Sequence, residues 1–143
     1  MKKSLINKEN LIKIAIDNLK NSYAPYSNYN VSAAVVMGSF KIYTGVNVEN
    51  ASYPAGMCAE RSAIFNAINC GEKEILCIAI VGGSRFLIKD YCLPCGICRQ
   101  VMREFCCPEK TEVVLAKSVN DFKIFTLDKL LPLSFGPDNI LNC

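Results

Sequence analysis

The 143-residue sequence predicts an α/β domain of three layers, α/β/α, around a mixed central sheet of about five strands. Three observations carry that expectation. Segments with helical periodicity alternate with short apolar runs of strand length. The first two such runs are joined by Gly38-Ser39 and read as an antiparallel hairpin. The longest run, Ile75 to Val81, is apolar throughout and flanked by Gly71 and Gly82-Gly83, the pattern of a strand buried on both faces. The length suits a single domain over residues 1–143 with a substantial core.

Taken in order, residues 8–22 place Leu11, Ile12, Ala15, Ile16 and Leu19 on one helical face, and Asn7 can cap the start. Pro25 ends any continuation because it disfavours helical backbone at Ala24. Val31 to Met37 is the first predicted strand, and Lys41 to Val46, alternating polar and apolar, is the second. Residues 47–56 form a polar, turn-rich loop. From about Cys58 a helix is predicted on Ala59, Ala63, Ile64, Ala67 and Ile68, with Gly71 as its stop. After the strand at 75–81 an irregular stretch leads to Pro94. That proline suits the first position of a helix continuing as Cys95 through Cys106. Residues 112–116 and 122–125 supply two more strands, and Thr126 can cap a short helix stopped before Pro132. No internal repeat or linker is visible.

Half the residues are apolar and a fifth are charged, which suits a compact soluble protein. Sixteen basic against thirteen acidic residues leave +3, with no basic run longer than Lys2-Lys3. Such scatter points to a small-molecule partner and away from nucleic acid. No apolar run is long enough to span a membrane. Met1 to Ile6 is basic, but Asn7-Lys8-Glu9-Asn10 follows before an apolar segment forms, so it is not read as a signal peptide. The expectation is a cytoplasmic protein whose nine cysteines are reduced or metal-bound.

The chemistry gathers in two stretches, Met57-Cys58-Ala59-Glu60-Arg61 and Pro94-Cys95-Gly96-Ile97-Cys98-Arg99-Gln100. Cys95 and Cys98, three apart at a helix start, can share a metal, and Cys58 is a third thiol of the same kind. The chain has no histidine, so a first-row metal here takes thiolate or carboxylate ligands. Three protein ligands leave an open fourth position, the mark of catalytic rather than structural zinc. Glu60, the one carboxylate inside either motif, is the candidate proton carrier. Residues two apart on an ideal helix diverge by about 200°. Cys58 and Glu60 therefore converge only if Cys58 sits at the frayed helix start. Arg61 and Arg99 stand beside ligands and can offset the sulfur charge.

These motifs together resemble the homotetrameric cytidine deaminases. CAER and PCGICRQ are joined by YAPYSNYNV, similar to the family's YAPYSxFxV, by NVENASYPAGMCAER, similar to NIENAxYxxxxCAER, and by LLPLSFGPDNI in the tail. The resemblance runs almost end to end. It implies the cytidine-deaminase-like fold, one Zn²⁺ per subunit on Cys58, Cys95 and Cys98, and Glu60 as proton shuttle. It puts Arg61 and Gln100 behind the ligands, the Ala59 backbone on the pyrimidine, Tyr29 beside the base, and Asn47 and Glu49 on a ribose hydroxyl. Ala51, Tyr53 and Phe135 match contacts across subunit interfaces, with active sites shared in a homotetramer. The implied reaction is hydrolysis of cytidine and 2′-deoxycytidine to the uridine nucleosides and ammonia, in pyrimidine salvage. Water activated on the zinc would attack C4. Cys58 in place of a histidine separates the chain from the deoxycytidylate and polynucleotide branches.

The departures are Tyr29 for phenylalanine, Ser32 for glycine, Leu93 for serine and Leu133 for a small residue. On spacing alone, Tyr29 and Phe135 read as core aromatics and Asn47 and Glu49 as turn formers. Cys92 forms a second C-x-x-C with Cys95 and offers a fourth thiolate for a closed, non-catalytic staple, although Pro94 separates it from the helix. Cys92, Cys95, Cys98 and Cys107-Pro108 echo a ferredoxin, but the last gap is too long. An aminonucleoside-antibiotic deaminase shares the Cys-x-Glu and Pro-Cys-x-x-Cys pattern. The remaining cysteines, Cys70, Cys77, Cys106, Cys107 and Cys143, read as core or surface thiols.

Overall fold

The computed structural model describes residues 5–141; Cys143 lies outside them. Helix α1 (Lys8–Asn18) starts where the sequence places it, with the Asn7 side chain accepting from the Asn10 N–H at 2.9 Å. It is shorter than the predicted 8–22, because the chain tightens into a 3₁₀ turn at Leu19–Asn21. Strands β1 (Tyr29–Met37) and β2 (Ile42–Val46) form the expected hairpin. Helix α2 (Ala59–Asn69) follows, then β3 (Ile75–Ser84), α3 (Gly96–Glu104), β4 (Glu112–Ser118), β5 (Asp121–Thr126) and the short α4 (Leu127–Leu130).

The five strands make one mixed sheet in the order β2-β1-β3-β4-β5. Only the β3–β4 pair is parallel, and α3 lies in the crossover between them. Alternation along the strands divides the core in two. Ala34, Val36, Ala79, Val81 and Val114 face α1 through Leu11, Ile12 and Ala15. Val35, Ile78, Ile80, Val113 and Leu115 face the other layer, meeting Ala63 and Ile64 of α2 and Met102 of α3. These are the three layers the sequence predicts.

Helix α2 ends as Gly71 suggests: φ is +90° there, and the N–H groups of Gly71 and Glu72 close on the carbonyls of Ile68 and Ala67. Its approach to the sheet depends on another glycine. A Cβ at Gly45 would lie 2.2 Å from the Ala63 nitrogen and 2.6 Å from the Ala59 carbonyl oxygen. Bare backbone at β2 thus lets the first turn of α2 press onto the sheet, which fixes the depth of Cys58 and Glu60.

The third helix departs from expectation. Pro94 does not open it; Cys95 is the N-cap, with φ −67° and ψ 165°, and its sulfur accepts from the Cys98 N–H at 3.5 Å. A cap that accepts through sulfur escapes the usual N-cap residue preferences, which is why the boundary falls later than Pro94 suggests. The helix also ends at Glu104, short of Cys106, which instead bridges to Ile75. Among the described residues, no helix is long and apolar enough to cross a membrane.

Candidate active site

Cys58 is the N-cap of α2, with extended backbone at φ −76° and ψ 153°. This meets the geometric condition for Cys58 and Glu60: the cysteine stands outside the helical rotation, so the residue two places on can share its surroundings. Cys95 occupies the same position on α3, and Cys98 lies one turn inside. Two helix N-termini therefore converge on three thiols, and both bring partial positive charge that favours thiolate.

The three sulfurs lie within 4.8 Å of one another, and the Cys58 and Cys95 sulfurs are 3.9 Å apart. Zinc–thiolate bonds of about 2.3 Å in a tetrahedron put sulfurs about 3.8 Å apart, so the donor set fits zinc with a fourth position left over. Arg61 donates to the Cys58 sulfur at 3.3 Å, as its position beside a ligand suggests. Arg99 does not share that task. Its guanidinium spans the carbonyls of Pro94 at 2.9 Å and Leu130 at 2.7 Å, bracing the segment before Cys95 against the end of α4.

The neighbouring Cys98 thiol, helped by Arg61, favours the thiolate form of Cys58 and draws its pKa down. The Cys58 sulfur and burial push Cys98 the other way. Glu60 is 4% exposed, and burial first, then the Cys58 charge, raises its carboxyl to about 7.

A cavity of about 660 Å³ opens above this corner. It brings together Cys58, Cys95, Glu60, Ala59 and Arg61 with Asn47, Glu49, Tyr29 and Tyr53. Cys98 is buried behind them. Ala51 is exposed outside the lining, and Tyr53, 77% exposed, pairs edge-on with Tyr26 at 6.3 Å between ring centres. Phe135 lies against a separate hollow with Gln100 and Ile140, and the Gln100 amide donates to the Phe135 carbonyl at 3.0 Å. Within one chain, then, Phe135 and Gln100 belong to the tail contact.

Cys92 stands apart from the three-sulfur cluster. It is buried beside Gly82, and burial, then the Glu60 charge, raises its thiol to about 11. Tyr29 shares the cavity lining with it, and burial, then the Cys92 charge, pushes that phenol up to about 12.

The polar side chains of the rim are already engaged. Asn47 Oδ1 accepts from the Ser22 hydroxyl and from the Val31 N–H at 2.9 Å, while Nδ2 donates to the Tyr29 carbonyl at 2.8 Å. This pattern fixes the amide orientation and leaves one Asn47 N–H free to donate. Glu49 accepts from the Tyr26 N–H, the Ser27 N–H and the Ser27 hydroxyl, and chiefly the last holds its carboxyl below the usual range. Its spare lone pairs can only accept. Ser22 and Ser27, which hold these two side chains, carry no signal in the sequence. Their partners are 25 and 22 residues away, beyond any local spacing rule.

The family described as "Cytidine and deoxycytidylate deaminase zinc-binding region" matches residues 5–115. The cytidine deaminase of Halalkalibacterium halodurans is 38% identical over 135 residues, covering 94% of this chain and 98% of that one. That of Mycoplasma genitalium is 33% identical over 130 residues, covering 91% and 96%. A crystal structure of the cytidine deaminase from Burkholderia pseudomallei superposes with a TM-score of 0.82 at 40% identity, over 91% of this chain and 100% of that one. The Mycobacterium tuberculosis structure gives 0.77 at 30% identity, over 92% and 98%. With a thiol cluster that fits zinc at the head of two helices, and relatives matched along nearly their whole length, the chain belongs to the cytidine deaminase family of enzymes.

Proposed function

We propose that the chain hydrolyses free cytidine and 2′-deoxycytidine to the uridine nucleosides and ammonia, in pyrimidine salvage, with Glu60 carrying the protons. One observation carries this reading: a buried carboxylate and a clustered thiol issue from the same helix end into a cavity whose lining also holds Asn47 and Glu49. One zinc per subunit, held by Cys58, Cys95 and Cys98, would supply a Lewis acid with an open position where water becomes acidic. In a chain without histidine, Glu60 takes a proton from the attacking water. It hands that proton to N3 of the base, then takes the second proton from the new C4 hydroxyl and gives it to the departing amine as the C4–N bond breaks. Arg61 offsets the charge on Cys58 from behind.

The rest of the cavity suits a nucleoside. Asn47 can only donate and Glu49 can only accept, so a sugar hydroxyl that accepts from one and donates to the other satisfies both. Tyr29 offers a ring face to the base, and the buried Ala59 backbone offers the pyrimidine a contact. Among the described residues Arg61 is the one cation in the cavity lining, and it is committed to Cys58, so the described lining offers a nucleotide phosphate no partner. Residues 1–143 act as a single domain. Phe135, Ala51 and Tyr53, exposed here, meet neighbouring subunits in a homotetramer with shared sites. The protein works in the cytoplasm.

The test follows the ultraviolet loss of cytidine together with bound zinc in wild type and Glu60→Gln. Zinc should be retained and kcat should fall by several orders of magnitude. Full activity in the variant would remove Glu60 from the reaction.

A further inference from the structure

The hydrogen bonding around Glu49 carries one more step, which rests on Glu49 being the sugar contact. Residues 24–28 fold into a tight turn: the Asn28 N–H donates to the Ala24 carbonyl at 3.0 Å, and Asn28 takes φ +55°. Asparagine tolerates that left-handed conformation better than most residues. The turn aims successive N–H groups of Tyr26 and Ser27 at Glu49 Oε2, at 3.2 and 3.1 Å. The Ser27 hydroxyl donates its single proton to Glu49 Oε1, and its oxygen accepts from the Tyr29 N–H at 3.0 Å. One hydroxyl thus ties the carboxylate of the sugar wall to the backbone of the aromatic residue over the base. Arg85 closes the far side, donating its N–H to the Asn28 carbonyl at 2.7 Å.

We propose that Ser27 is a positioning residue for nucleoside binding, holding Glu49 in the rotamer that receives the sugar hydroxyl. A glutamate on an irregular loop has several rotors to freeze, and a carboxylate that must be ordered by its ligand binds that ligand more weakly. Ser27 freezes it beforehand. The bland alternative is that Ser27 merely shapes the turn through its bond to Tyr29, in which case Glu49 would be indifferent to the hydroxyl.

The two differ in how the effect of a substitution depends on the sugar. Steady-state constants are measured for Ser27→Ala, Ser27→Thr and Glu49→Ala with cytidine and with a cytosine nucleoside lacking the 2′ and 3′ hydroxyls. Ser27→Ala should raise KM for cytidine on the order of tenfold, the size of one charge-assisted hydrogen bond, with kcat within about twofold. For the dideoxy sugar its KM should stay near wild type. Ser27→Thr keeps the hydroxyl at an exposed position and should restore the cytidine KM. An equal KM rise for both sugars, a loss confined to kcat, or no rescue by threonine would overturn the proposal. If Glu49→Ala raises the cytidine KM while Ser27→Ala does not, the positioning role alone falls. If Glu49→Ala leaves KM unchanged, the sugar assignment itself falls and takes the role of Ser27 with it.

Discussion

The thiol corner and the Asn47–Glu49 rim of the cavity are placed by different means. At the corner, backbone does the placing. Cys58 and Cys95 are N-caps, Cys98 is one turn in, and Gly45 lets α2 press on the sheet at the depth that buries Glu60. At the rim, Asn47 and Glu49 stand on irregular chain, and their side chains are held by hydrogen bonds to the hydroxyls of Ser22 and Ser27 and to backbone groups of the neighbouring loop and strand. Regular elements give rigid placement at the cost of few alternatives. Hydrogen-bonded loops give placement that one lost hydroxyl can loosen. Under the proposed function, chemistry, which tolerates little misplacement, falls at the corner and recognition at the rim.

Substitutions that exploit this contrast should fall in order of size. Gly45→Ala attacks the corner through backbone, since its methyl would meet the Ala63 nitrogen and Ala59 carbonyl. Overpacking against main chain cannot relax by a rotamer change. The melting temperature should therefore fall on the order of 10 °C, with bound zinc and kcat falling together. A variant with unchanged Tm and zinc would show that α2 is not seated on Gly45. Asn47→Ala attacks the rim. It strips three internal hydrogen bonds and leaves the Val31 N–H without its acceptor, so KM for cytidine should rise tenfold or more while zinc content stays constant. Zinc loss in that variant would contradict the separation of corner from rim.

The same contrast decides what could be read from the sequence. The three layers were legible because periodicity reports burial: Leu11, Ile12 and Ala15 on α1, and the apolar run of β3, lie where their patterns put them. The thiols were legible because spacing at a helix start has direct geometric meaning. The start of α3 was misplaced, since Pro94 satisfies a first-turn rule while the sulfur of Cys95 does the capping. Asn47 and Glu49 stood out only through resemblance, because their side chains look like ordinary turn formers and Ser22 and Ser27 are far away in sequence. Gly45 gave no local sign: its need for a missing Cβ arises from a helix that arrives eighteen residues later, at Ala63.

The central claim is that the corner is an open reaction site held by three thiolates and not a staple closed by Cys92. Bound zinc and cytidine turnover measured side by side in wild type, Cys92→Ser and Cys98→Ser test it most directly. The wild type and Cys92→Ser should each hold about one zinc per chain and deaminate cytidine at similar rates, while Cys98→Ser should lose both metal and activity. Zinc lost from Cys92→Ser as completely as from Cys98→Ser would mean four thiolate ligands, a closed site, and no position for the reaction.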